Sequence, residues 1–126
     1  MSDYRYDAKL REVHDGDTVT LDVDLGFEIS QRMHIRLYGI NAPEINTPEG
    51  RASKTHLEYL LVGHDGLVLE SIKDRADKYG GRYLGIIKIV PPVSPVGGPQ
   101  GDKNVNMQMV EDGFAKNWDG KGVKPV

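Results

Sequence analysis

His14-Asp15-Gly16-Asp17-Thr18-Val19-Thr20-Leu21-Asp22-Val23-Asp24-Leu25 carries the pattern from which the architecture follows. From Thr18 to Leu25 apolar and polar residues alternate strictly. Val19, Leu21, Val23 and Leu25 share one face, and Thr18, Thr20, Asp22 and Asp24 share the other. A period of two marks a strand with one face in the core and one in water. Asp15-Gly16 ahead of it is a strong turn dipeptide, so residues 6–14 are expected to form a preceding strand. Gly26 turns the chain into a third strand over about residues 30–40, with Met33, Ile35 and Leu37 in phase.

Three meandering strands cannot hide their own apolar face. The chain then changes period. Thr47-Pro48-Glu49 reads as a helix start: a capping hydroxyl, a proline at the first helical position and an acid facing the dipole. Leu57, Leu60 and Leu61 follow at helical spacing, and the helix stops near Gly63. Two further strands are expected, at about residues 67–73 and 82–90. The loop Asp77-Lys78-Tyr79-Gly80-Gly81 separates them. A short helix, Val105 to Asp112, capped by Asn104 and ended by Gly113, completes the pattern. Strand-strand-strand-helix-strand-strand-helix is the outline of a mainly β fold with α: a five-stranded OB-fold barrel, with one helix between strands 3 and 4 and a short C-terminal helix. A length of 126 residues fits a single domain over 1–126. The Pro/Gly-rich segment 91–102 is expected to be a flexible surface loop and 119–126 a disordered tail.

Composition bounds the function. The absence of cysteine removes disulfide partners and thiolate metal sites. No apolar h-region opens the chain and no run has membrane-spanning length, so a soluble, unexported, cytoplasmic or intracellular protein is expected, without a membrane partner. A chain trimmed of a leader would read the same way. The formal charge of −3 argues against coating nucleic acid by phosphate contacts alone. An enzyme that recruits a cation to its site escapes that objection, because the ion supplies positive charge locally.

The chemistry-bearing residues cluster between 14 and 44. Asp17 has the parity of Val19 and Leu21, so its carboxylate leans toward the interior, which is costly unless it is paired or bound to a cation. Arg36 lies between Ile35 and Leu37 on the opposite face from them, where a solvated strand residue is the plain reading. In Asn41-Ala42-Pro43-Glu44, Pro43 holds Ala42 extended and fixes the chain direction at the end of a strand. Taken singly, each has an ordinary structural explanation. Together, Asp17, Arg36, Asn41 and Glu44 are the residue types that hold a hard cation and attack a phosphodiester. The histidines His14, His34, His56 and His64 show no zinc spacing.

Four motifs stand in one order: Val13-His14-Asp15-Gly16-Asp17-Thr18-Val19, Ile35-Arg36-Leu37-Tyr38-Gly39-Ile40-Asn41-Ala42-Pro43-Glu44, Asp77-Lys78-Tyr79-Gly80-Gly81-Arg82, and Asn104-Val105-Asn106 with Gly113-Phe114-Ala115-Lys116. In them the chain resembles the staphylococcal nuclease (thermonuclease) family. The resemblance implies a calcium-dependent OB-fold nuclease acting as a monomer on single-stranded DNA or RNA and cutting on the 5′ side of the phosphodiester. By position it implies Asp17, Asn41 and the Ala42 carbonyl as ligands of Ca2+ and Glu44 as general base or water-positioning residue. It implies Arg36 and Arg82 on the phosphate, with Lys78, Tyr79 and Tyr83 as substrate contacts.

There are departures. Asn41 stands where the family usually has an aspartate, which removes a charge and implies weaker binding of a hard cation. Gly80-Gly81 adds a residue ahead of Arg82, the C-terminal helical region is shorter, and the Pro-rich loop is longer. A second reading therefore stays open: a nuclease-like domain that binds nucleic acid or protein and has lost catalysis.

Overall fold

In the computed structural model of the chain, residues 5–63, 66–72, 83–89 and 103–117 are described. The first three strands are β1 (Arg5–Asp15), β2 (Thr18–Gly26) and β3 (Ile29–Leu37). A two-residue strand β4 (Ile40–Asn41) and helix α1 (Pro48–Leu61) follow. Next come β5 (Leu67–Ser71), β6 (Tyr83–Ile89), a short β7 (Lys103–Asn104), α2 (Val105–Glu111) and a short β8 (Lys116–Asn117). The segments 91–102 and 119–126 lie outside the described residues, as do Lys78, Tyr79 and Arg82.

The long strands close into a barrel. β2 pairs antiparallel with β1 and β3, β1 with β5, and β5 with β6. A parallel pairing of β3 with β6, Ile35 opposite Tyr83 and Leu37 opposite Gly85, joins the two ends. This is the five-stranded OB barrel expected from the order of elements. β1 serves two neighbours by bending, with register shifts between Leu10 and Glu12 and between Val13 and Asp15. Such bulges sharpen a strand's coil around a barrel. The core gathers Val19, Leu21, Val23, Ile35, Leu37, Leu67, Leu69 and Ile87 from the strands, with Leu57, Leu60 and Leu61 from α1 and Val105 and Met109 from α2.

The helix signals act locally as expected. Thr47 Oγ1 accepts from the Gly50 N–H at 3.0 Å, with Pro48 at the first helical position. Asn104 Oδ1 accepts from the Met107 N–H at 3.1 Å.

Four details differ from the expectation. The third strand ends at Leu37, because the chain turns at Gly39 (φ 85°) and the Tyr38 N–H bonds Gly85 O at 2.8 Å. Ile40 and Asn41 then pair outside the barrel with Asn117 and Lys116. Leu25, in phase with the core, is exposed because it has passed the barrel rim. Thr18 and Thr20, on the polar face of β2, are buried. Thr20 is covered by His14 and His34, whose rings both bond its hydroxyl, at 2.6 and 2.9 Å. Thr18 faces Arg36 across the β2–β3 ladder.

Candidate active site

The β1–β2 turn carries two acids whose side chains serve the turn and the neighbouring loop together. Asp15 Oδ1 accepts the Asp17 N–H at 3.0 Å, an Asx turn that reverses the chain through Gly16. Gly16 has to be small here. A Cβ on it would collide with the Ser53 hydroxyl of α1 and come within 2.7 Å of the Ala42 Cβ. The turn therefore sits directly under both the helix and the segment that leads to Glu44.

Asp17 is 7% exposed. Its Oδ2 accepts the Ala42 N–H at 2.8 Å and lies 3.4 Å from Arg36 Nη2, and its Oδ1 accepts the Thr18 hydroxyl at 3.1 Å. Burial pushes the Asp17 carboxyl up to about 6, and the hydrogen bond to Asp15 adds to the rise while Arg36 opposes it. Asp15 moves the other way. Burial raises it, but its hydrogen bonds to the Asp17 side chain and backbone and to Thr18, with the charge of Arg36, together outweigh that and hold it below the ordinary carboxylate value. The two acids thus act as a pair in which one ionises easily and the other reluctantly.

Arg36 is 4% exposed, so the plain reading of a solvated strand residue does not hold. Nη1 donates to Leu37 O and to Ile40 O, both at 3.0 Å, and so braces the turn between β3 and β4. Nη2 points to Asp17 and donates to Asn41 Oδ1 at 3.3 Å. One guanidinium therefore closes the turn with one nitrogen and gathers the two side-chain oxygen groups with the other. A fixed planar fork suits that double task.

Asp17, Arg36, Asn41 and the Ala42 backbone are brought together. Glu44 follows two residues later in an exposed loop. Its carbonyl accepts the Thr47 hydroxyl at 2.7 Å and the Thr47 N–H at 3.1 Å, so the helix cap also holds the base of this loop. Tyr83 opens β6 opposite Ile35 and packs partly against the core.

Sequence reading passed over one buried residue that supports this site. Asn106, 2% exposed, accepts the Ile87 N–H at 3.1 Å and donates to Tyr38 O at 2.9 Å and Gly85 O at 3.1 Å. It ties α2 to the turn that precedes Asn41. The only signal was its place in the last motif, directly after the capping Asn104 and on the side of α2 that carries Val105 and Met109. Histidines that looked scattered also have partners: His56 Nε2 lies 2.7 Å from Asp112 Oδ2 and joins the two helices.

The donor set is all oxygen, which suits a hard cation. The unfavourable ionisation of buried Asp17 beside Asp15 is an electrostatic strain that a bound cation would relieve. Among the described residues, no group of three or more His, Cys, Asp or Glu converges. A cation here would therefore rest on few carboxylates, with Asn41 and backbone carbonyl oxygen completing the set.

The staphylococcal nuclease homologue family matches residues 34–123 of the chain. The match runs from within β3 through β8 and begins after Asp17. No curated protein matches the chain.

Proposed function

Because the chain belongs to the staphylococcal nuclease family, we propose that it is a calcium-dependent nuclease that hydrolyses single-stranded DNA or RNA, acting as a monomer. The observation that carries this reading is the Asp17–Arg36–Asn41 constellation, with Asp17 and Arg36 buried, the Ala42 N–H on Asp17, and Glu44 at the end of the same short segment. Asp17, Asn41 and the Ala42 carbonyl are the residues that would hold the cation. When bound, calcium supplies charge neutralisation and polarisation at a phosphoryl oxygen.

The chain's own groups have separable tasks. Glu44 orients a water and takes its proton as the water oxygen bonds to phosphorus. The bond from phosphorus to the 5′ oxygen breaks, and that oxygen is protonated from solvent. Arg36, whose Nη2 lies against Asp17 and Asn41, is assigned one cationic contact with the phosphate, and Arg82, immediately before Tyr83 in sequence, the second. Lys78, Tyr79 and Tyr83 are assigned to the flanking nucleotides. Asn41 contributes an oxygen without a charge, so a higher calcium requirement is expected than an aspartate would give.

A fluorogenic single-stranded oligonucleotide, DNA and RNA in parallel, tests the reading across calcium concentrations. Glu44→Gln is expected to lower the rate by roughly 10²- to 10⁴-fold. Cleavage that ignores calcium, or that survives Glu44→Gln unchanged, refutes it. Binding without cleavage at millimolar calcium would instead favour the binding-domain reading that Asn41 motivates.

A further inference from the structure

A cavity of about 540 Å³ opens at the proposed site, its lining shared with Asn41, Ala42 and Glu44, and it extends to a wall that takes no part in the chemistry described above. Pro43, Glu44 and Thr47 form one side, and Phe114, Ala115 and Lys116 form the other. We propose that this cavity is a nucleobase subsite, with Phe114 as its stacking platform, placed next to the bond that is cut.

The first support is how firmly Phe114 is held. Its N–H donates to Met109 O at 2.9 Å, and its carbonyl accepts the buried Ser53 hydroxyl at 2.8 Å. Its ring stacks on His56, with centroids 4.1 Å apart and planes 18° from parallel. His56 is held in turn by Asp112, whose other oxygen accepts from Gln108 Nε2 at 2.8 Å. A half-buried aromatic fixed through main chain and ring, and bordering a cavity, is pre-ordered for stacking at little entropic cost.

The second support is placement. Lys116, two residues on, pairs its backbone with Asn41, so the wall that carries Phe114 is stitched to the segment that carries Glu44. A group lying in the cavity would touch Glu44 itself. The third is the character of the walls. Away from Glu44, the charges bordering the cavity are Glu49 and Lys116, of opposite sign, while Pro43, Ala42, Ala115 and Phe114 offer apolar surface. A flat, largely apolar, uncharged base meets those terms. The volume also lies within the range of small-molecule sites.

The location of the subsite beside the cut bond rests on the nuclease reading; base binding by Phe114 does not. The test uses the full chain and two substitutions, Phe114→Leu, which keeps apolar bulk against the core, and Phe114→Trp, which keeps a stacking face. Anisotropy with a short single-stranded DNA in EDTA reads binding without turnover. An otherwise identical oligonucleotide of abasic residues is the control, and thermal melts confirm that the variants are folded.

Phe114→Leu is expected to weaken binding roughly 5- to 150-fold, the range of one lost stacked base. Phe114→Trp is expected to hold within about threefold, a small fraction of one stacking contact. Neither change should alter abasic binding. A folded Phe114→Leu protein that binds normal DNA as wild type does overturns the proposal. So does a wild type that binds normal and abasic DNA alike. Cleavage that depends on Glu44 but not on Phe114 would sink the subsite and leave the nuclease reading standing. Phe114-dependent base binding without any cleavage would do the reverse.

Discussion

Replacing Asp17 with asparagine is expected to stabilise the cation-free protein at neutral pH and to remove its response to calcium. The side chains have nearly the same shape. Asparagine can still accept the Ala42 N–H with its one carbonyl oxygen, so the contact between the β1–β2 turn and the Glu44 segment survives. What disappears is a buried negative charge. In the folded chain that carboxyl titrates near 6 against an ordinary 3.8, and at about 1.4 kcal/mol for each pH unit between the two values its ionisation costs about 3 kcal/mol.

The pull of Arg36 on Asp17 is already contained in that value, and the guanidinium keeps its bonds to Leu37 O, Ile40 O and Asn41. One effect reduces the gain: Asp15 keeps the backbone N–H of residue 17 but loses the Asp17 carboxyl that helps hold it below its ordinary value. A net gain of about 1–3 kcal/mol at pH 7 is expected.

The sign with pH follows from linkage. A folded-state pKa raised above the unfolded one gives a contribution that is fully present below 3.8 and is lost as pH rises through about 6. Wild type should therefore weaken relative to Asp17→Asn across that window, and the two should converge near pH 4. Urea unfolding followed by far-UV circular dichroism in EDTA, from pH 4 to pH 8, measures the difference directly. A second series with calcium reads the shift in Tm on binding, expected for wild type and absent for the variant. The reasoning fails if Asp17→Asn is the less stable protein at pH 7, if the difference ignores pH, or if calcium stabilises both alike.

Three other outcomes are expected. Asn106→Ala takes the partner from the Ile87 N–H and from Tyr38 O in a buried place, and should cost about 3–5 kcal/mol in urea unfolding. Gly50→Ala would ordinarily strengthen a helix, but here the new Cβ collides with the Glu44 carbonyl and reaches 3.0 Å from Ile45 Cα. It should therefore destabilise by about 1–3 kcal/mol and lower the cleavage rate tenfold or more through displacement of Glu44. At the β2–β3 hairpin, Phe27 and Glu28 adopt φ of 57° and 61°. Glu28→Gly should relieve part of that strain and raise stability by about 0.5–1 kcal/mol, seen as a few degrees in Tm.

Much of the barrel was legible because its signals are local. The alternation from Thr18 to Leu25, the Asp15-Gly16 turn, the Thr47-Pro48 start and the Asn104 cap each act over a few residues, and each appears where expected. Asp17 was legible too, since parity alone turned a carboxylate inward. Arg36 was not. Its position in the strand pointed outward, and only the return of the chain at Ile40 and Asn41 covers that face. Thr20 misled for the same reason, with histidines from two neighbouring strands closing over a polar position.

The elements, their order and the residue types available for the chemistry could be read along the chain, because periodicity, capping and turn geometry are properties of short segments. Tertiary structure decided which of those residues meet. The parallel seam of β3 and β6, the pairing of β4 with β8, the shared guanidinium of Arg36 and the platform of Phe114 each join segments far apart in the chain. No local pattern encodes such contacts. They follow from closing the barrel, which brings distant backbones within hydrogen-bonding reach and takes Asp17 and Arg36 out of water together.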